Sequence, residues 1–326
     1  MSSSLRKLFL GGLVVIVILI AGIAIQAHRS TTKVVTPAPK VRIAVLNLVT
    51  NLPLMVAREE KLLEAQGLQA DYIPFQSSNQ VIEAMERGDI DMGMGISLVP
   101  YFTVEQKDPG KLKIYSTSAM TTEHPFDELV VKGDSPITTI SQLANKKIGV
   151  FPGTTATNLA KDYLKKQGVD VNTLTFVTMP PQNQLPALET GAIDALYAYE
   201  PGLTIALSKG ARVISPSIYA TLVDKNPIGA GLITSAFTTN QPDVAKKAVA
   251  AIDQAIRLQT SNQAQTREIA RQVLGLDQAV ANTFSLTPTL MNHELNKTTV
   301  STLAQKLVDI GELPSKPNTH TIYYQP

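Results

Sequence analysis

Two stretches of the chain hold residues whose types and spacing suit ligand chemistry. In Gly149-Val150-Phe151-Pro152-Gly153-Thr154-Thr155-Ala156-Thr157 an apolar run passes through a Pro-Gly turn into a hydroxyl-rich helix start. The unpaired amides of that helix face whatever lies beyond the strand, which makes a cradle for a small anion or polar ligand. The same arrangement also serves as an ordinary strand-to-helix connection. In Tyr197-Ala198-Tyr199-Glu200-Pro201, Glu200 ends a strand beside two phenols and precedes a proline. Its carboxylate can accept from a ligand amine, N–H or hydroxyl, or from the amides of a helix start. Ser97, Asn47 and Asn51 carry a similar pair of readings, ligand contact or capping and loop closure.

Other chemistries find little support. The chain has no cysteine, so thiolate metal sites, disulfides and Cys nucleophiles are excluded. His28 abuts an apolar run, and His124, His293 and His320 stand far apart with no carboxylate or second histidine at ligand spacing. There is no G-x-S-x-G elbow, no G-x-x-x-x-G-K-[ST] loop and no G-x-G-x-x-G fingerprint. No catalytic residue, metal or cofactor is therefore assigned. With 29 basic and 27 acidic residues and no basic block interleaved with aromatics, nucleic acid is not an expected partner.

The elements that must position these residues begin after an N-terminal apolar run, Leu8 to Ala27, preceded by Arg6 and Lys7. A run of that length suits a spanning anchor, which needs about 20 residues, better than the shorter core of a secretory signal. Ile25 also makes a poor small-residue cleavage pattern, although cleavage after Ala27 stays open. In either case residues 1–28 are a signal peptide or membrane anchor and 29–40 a linker, and the chain beyond is exported. From Val41 the order is strand, a helix from Asn51 to Gln66, a strand to Phe75, a short helix closed by Gly88, and a strand to Ile96.

That order recurs from Lys147 to Tyr199. Glu83-Ala84-Met85-Glu86-Arg87-Gly88-Asp89-Ile90-Asp91 aligns with Pro186-Ala187-Leu188-Glu189-Thr190-Gly191-Ala192-Ile193-Asp194, with Glu, Gly, Ile and Asp in register. An internally repeated βαβ order predicts two related α/β lobes with ligand at the carboxyl ends of the strands. Ser97 then falls opposite Glu200, and the Asn47–Asn51 loop opposite Pro152–Thr155. Asp91 and Asp194 read as structural. Thr121-Thr122-Glu123-His124 and the strand from Pro227 to Ser235 mark two crossings, giving lobe 1 as 41–122 and 228–326 and lobe 2 as 123–227. The C-terminal helices are expected to return to lobe 1.

In this order and spacing the chain resembles the periplasmic substrate-binding proteins of nitrate, sulfonate and taurine importers and the related thiamine-pyrimidine binders. The residues that carry the resemblance are Asn51-Leu52-Pro53-Leu54-Met55-Val56-Ala57-Arg58, Gly67-Leu68, Gly88-Asp89-Ile90-Asp91-Met92-Gly93 and Lys146-Lys147-Ile148-Gly149-Val150 with Pro152-Gly153-Thr154-Thr155. Leu188-Glu189-Thr190-Gly191-Ala192-Ile193-Asp194-Ala195 and Tyr199-Glu200-Pro201 complete it. The resemblance implies an α/β, two-lobed type II "Venus-flytrap" binding protein that closes on a small polar or anionic organic solute. It also implies a permease and its ATPase as partners. The cleft residues it implies are Asn47, Asn51, Ser97, Thr154, Thr155 and Glu200; Thr121 at the first crossing and Gly153 of the Pro-Gly turn are expected to bind ligand with them. The chain lacks the tryptophan the family often has before Glu-Pro, which leaves ligand identity open. A membrane-anchored sensing ectodomain is the alternative, and an enzyme acting on a pyrimidine-like substrate stands third.

Overall fold

Val41, Ile43, Ala44 and Leu46 are all buried in the first strand, β1 (Lys40–Leu46), the pattern of a parallel strand covered on both faces. The computed structural model describes residues 37–326, and the membrane-segment expectation for residues 8–27 lies outside them. Among the described residues no helix is long and apolar enough to cross a membrane.

Helices α1 (Leu52–Glu59) and α2 (Leu62–Ala65) follow β1. The single helix expected from Asn51 to Gln66 is broken because Glu59, Glu60 and Lys61 are exposed and anchor nothing, and Lys61 turns left-handed at φ 52°. Then come β2 (Gln69–Phe75), α3 (Ser78–Arg87), β3 (Met92–Ser97), α4 (Leu98–Lys107) and β4 (Leu112–Ser118). After the first crossing come β5 (Asp127–Val131), β6 (Lys147–Val150), α5 (Thr154–Lys166), β7 (Thr175–Thr178) and α6 (Pro181–Glu189). β8 (Ala195–Tyr199), α7 (Gly202–Ser208), β9 (Arg212–Val213) and α8 (Ile218–Leu222) complete this half. The chain returns through β10 (Gly229–Thr234), then α9 (Ser235–Asn240), α10 (Pro242–Ser261), α11 (Gln263–Leu274), α12 (Gln278–Thr283), β11 (Thr289–Leu290) and α13 (Lys297–Asp309).

Two sheets result, one ordered β11-β4-β10-β3-β1-β2 and the other β7-β6-β8-β5-β9. In each, three parallel strands (β2-β1-β3 and β7-β6-β8) are joined by an antiparallel strand that enters directly after a crossing, β10 in the first and β5 in the second. The repeat read from the sequence has a physical counterpart. Asp91 Oδ2 accepts the Arg42 amide at 2.8 Å, and Asp194 Oδ2 accepts the Lys147 amide at 2.8 Å. Each aspartate ties the start of its strand to the start of the neighbouring one, as a structural role requires. The amides of Asp91 and Asp194 return the bond to the carbonyls of Arg42 and Lys147 at 2.9 Å each.

The two crossings run side by side, with Met120 and Asn226 exchanging backbone hydrogen bonds of 3.0 and 2.9 Å. The long apolar face of α10 lies against α1 and α2, so the C-terminal helices cover the first sheet. Ile322 and Tyr324 pair with Ile114 of β4, fixing a tail that composition alone reads as irregular.

Candidate functional site

The carboxyl ends of β1, β3, β6 and β8 converge on one cavity of about 50 Å³. That is roughly four times the space one water needs, room for a handful of non-hydrogen atoms. The β1 loop brings Leu48 and Thr50, the start of α3 brings Ser78 and Asn79, and β3 brings Gly95 and Ser97. From the other half, Phe151, Pro152, Gly153, Thr155 and Ala156 bring the strand-turn-helix, and Tyr199 and Tyr219 bring two phenol rings. Phe126, Met120, Ile228 and Gly229 close the side at the crossings. Among the described residues, no Lys, Arg, His, Asp or Glu lines it.

Of the eight residues the sequence singles out, this cavity takes Ser97, Gly153 and Thr155. Ser97 caps α4 by accepting the Val99 amide at 3.2 Å, and its Oγ lies 3.1 Å from Thr155 Oγ1. That contact joins the two halves across the cavity. Gly153 precedes α5 at φ 108° and ψ 170°, and no side chain caps the helix start. The first amides of α5 therefore lack protein partners of the usual kind, and Thr155 and Ala156 of that turn line the cavity.

The other five lie outside the lining. Asn47 is exposed, and Thr154 is exposed on the first turn of α5. Asn51 is fully buried behind the wall, where its Oδ1 accepts the Leu46 amide at 3.1 Å. Thr121 accepts the His124 amide at 3.2 Å and closes a turn of the first crossing. Glu200 is buried but turned away from the cavity. Its oxygens accept the Thr204 hydroxyl at 2.8 Å, the Thr204 amide at 3.2 Å and the Ser285 amide at 3.2 Å. Burial raises its pKa, and these hydrogen bonds oppose the rise. The carboxylate thus starts α7 and ties it to the segment after α12.

The residues that sequence reasoning missed are aromatic. Phe151 stacks on Tyr199 at 5.4 Å, Phe126 stacks on Tyr219 at 6.1 Å, and the hydroxyls of Tyr199 and Tyr219 lie 2.5 Å apart. Burial lifts both phenols well above their ordinary range, so they remain neutral. Behind them Asp127 is fully buried and accepts from Tyr197 Oη (2.5 Å), Ser217 Oγ (2.6 Å) and the amides of Ile218 (2.9 Å) and Tyr219 (3.2 Å). Desolvation still pushes its pKa up to about 6 against those donors. The Tyr197-Ala198-Tyr199 alternation was the available signal; Phe126, Asp127 and Tyr219 come from distant segments with none.

Thr50 adds a further feature. Its hydroxyl is buried without a hydrogen-bond partner, as is the side-chain nitrogen of Asn51. Both crowd Gly95, where a Cβ would come within 2.5 Å of each. Glycine in β3 thus admits the neighbouring loop, the close backbone approach expected of small residues in a strand.

A cavity closed between two α/β halves that are joined by paired crossings is the architecture of the periplasmic binding proteins. The chain belongs to the NMT1-like family, whose model matches residues 35–274. A Brucella abortus (strain 2308) protein named as a binding protein is 26% identical over 273 residues, covering 80% of this chain and 82% of that one. Among solved structures, the alkanesulfonate-binding protein SsuA from Xanthomonas axonopodis pv. citri, bound to MOPS, superposes with a TM-score of 0.72. It is 21% identical and covers 89% of this chain and 99% of its own. The periplasmic nitrate-binding protein NrtA from Synechocystis PCC 6803 gives a TM-score of 0.65 at 15% identity, covering 86% of this chain and 84% of its own. The desulfurization enzyme DSZB shares the fold too, with a TM-score of 0.64 at 15% identity, covering 87% of this chain and 96% of its own.

Proposed function

We propose that this protein is an extracytoplasmic solute-binding protein that captures a small polar or anionic organic solute by closure of its two halves. It then delivers the solute to an ABC import permease driven by its ATPase. The observation that carries the reading is the cavity: hydroxyls and helix-start amides surround it, four aromatic rings wall it, and no ionised side chain of the described residues enters it. Such a site favours a ligand rich in acceptor atoms, a sulfonate or nitrate oxygen or a pyrimidine-type carbonyl or ring nitrogen. Ser97, Gly153 and Thr155 contact the solute, joined by Thr50, Asn79, Tyr199 and Tyr219.

The crossings near Thr122–Asp127 and Pro227–Ala230 act as the hinge between lobe 1 (41–122 and 228–326) and lobe 2 (123–227). Residues 8–27 hold the protein at the membrane. Binding rather than turnover is favoured because the cavity offers hydroxyls but no carboxylate or imidazole to serve as their base. The relatives named as binding proteins support the same reading. A thermal-shift screen of nitrate, methanesulfonate, taurine and pyrimidines tests it. A solute at about a hundred times its dissociation constant adds about 2.7 kcal/mol, a clear rise in Tm. No shift with any of them refutes the proposal.

A further inference from the structure

Away from the two crossings, three side-chain hydrogen bonds join the halves among the described residues: Ser97 to Thr155, Glu200 to the Ser285 amide, and Asn158 to Glu312. In the third, Asn158 Nδ2 donates to Glu312 Oε2 at 2.9 Å, and neither residue lines the cavity. Asn158 stands three residues after Thr155 on α5, so the two share a helix face, one turn apart. One face of the helix whose first turn borders the cavity is thus bonded twice to the opposite half.

Glu312 is presented from a fixed support. Gly311 turns left-handed at φ 80° after α13, and the Glu312 and Leu313 amides both bond back to the Leu307 carbonyl, at 2.8 and 3.1 Å. Leu313 is buried, and the Gln106 side chain, in the last turn of α4, donates to the Ser315 carbonyl. The same α4 is capped by Ser97 at its start. Both bonds to α5 therefore leave one braced part of the first half, but a solute affects them differently. Ser97 and Thr155 line the cavity, and in the proposed site they contact the solute as well as each other. Asn158 and Glu312 stand outside the lining, so their bond is not exchanged for one to the solute. We propose that Glu312 is a positioning residue for solute retention, a clasp that holds α5 against the opposite half through Asn158 and so slows release.

The inference rests on the two halves closing over a solute in the cavity, and the test separates the two. The bond needs both halves together, so it is absent from the open form that a solute enters and present in the form it must leave. Association and release of methanesulfonate are timed in the full chain in detergent by stopped-flow tyrosine fluorescence, the chain having no tryptophan. Asn158 and Glu312 are half-buried, and Asn158→Ala or Glu312→Ala is expected to speed release about fivefold, the worth of one such hydrogen bond to a charged acceptor. Association should be unchanged, and the double variant should add little more. Asn158→Asp, which sets like charges face to face, should release faster still, and adding Glu312→Lys to it should bring the rate back towards wild type. An unchanged release rate, fully additive losses or a charge swap that restores nothing overturns the inference. The chain has no cysteine, so spin labels at Lys165→Cys and Gln305→Cys, both exposed, report the separation of α5 from α13 without interference. In ligand-free protein Glu312→Ala should move that distance distribution outward. If methanesulfonate fails to bind wild type, the solute reading is what suffers, and an unmoved distribution overturns the clasp.

Discussion

Gly153 faces two constraints that one substitution separates. Its φ of 108° with ψ of 170° lies where essentially only glycine goes, so alanine there costs about 1–3 kcal/mol in every state of the protein. A Cβ would also stand 3.2 Å from Asn79 Oδ1, which belongs to the opposite half. Relief requires Asn79 to shift by a few tenths of an ångström or leave its rotamer, at about 0.5–1.5 kcal/mol. Gly153→Ala should therefore lower Tm, by roughly 2–4 °C per kcal/mol of strain, and separately weaken methanesulfonate binding by about two- to tenfold. The assay is circular-dichroism melting beside calorimetric titration of wild type, Gly153→Ala, Asn79→Ala and the double variant. In the Asn79→Ala background the loss of affinity from Gly153→Ala should shrink, and the loss of Tm should persist. A Tm that does not fall, or one that Asn79→Ala restores, would show that the left-handed backbone is not the constraint.

Glu200→Gln should leave solute affinity within a factor of two, because the carboxylate faces Thr204 and Ser285 instead of the cavity; a loss of tenfold or more in titration would return Glu200 to the ligand. The same variant should lower Tm, since both oxygens of Glu200 accept hydrogen bonds and glutamine turns an NH2 group towards one set of those donors. Gly231→Ala should be far more damaging: a Cβ there would fall within 3 Å of Ser116 Oγ and of the Tyr115 ring in β4, overpacking the middle of the first sheet. A cost of about 1–3 kcal/mol or more is expected, read as loss of soluble protein or a depressed denaturant midpoint.

Periodicity and register made the frame legible. The Glu-Gly-Ile-Asp repeat placed Asp91 and Asp194 alike, and the structure gives them one bond in common, aspartate to strand-start amide at 2.8 Å. The strand-turn-helix at Gly149–Thr157 was legible because Pro-Gly and a run of hydroxyls mark a helix start. Glu200 was harder to place, although the rule that governs it is simple. Side chains alternate across a strand, so Tyr197 and Tyr199 share a face and the next residue leaves it. With Tyr199 on the cavity, Glu200 is sent towards Ser285. Phe126, Tyr219 and Asp127 were invisible because nothing in a local window says that segments some 90 residues apart will meet. The helix broken at Lys61 shows a third limit, since a charged, exposed Glu-Glu-Lys step leaves the backbone free to turn where helix propensity alone would continue it.

An acceptor-rich solute held without any ionised side chain should show it in its dependence on pH and salt. Two acids near the site titrate late: Asp127 at about 6, raised mainly by burial, and Glu128 at about 7, raised by burial and by the charges of Asp127 and Glu200. Unfolding lets each release its proton at its ordinary value, 3.8 or 4.5, so between about pH 4 and 7 the folded state binds more protons than the unfolded one. Their contribution to stability is therefore present at the acid end and is lost as pH rises through that window. Above about 7.5 both are ionised, and burial keeps the cavity phenols neutral well past their usual range. Nothing that lines the cavity changes charge there. Affinity for methanesulfonate should then be flat from pH 7.5 to 9 and should fall only weakly between 0.05 and 0.5 M salt, because buried dipoles are screened far less than exposed charges. A steep salt dependence, or a titration step inside that range, would mean that a lysine or arginine outside the lining closes on the solute, and the neutral-cage account would fail.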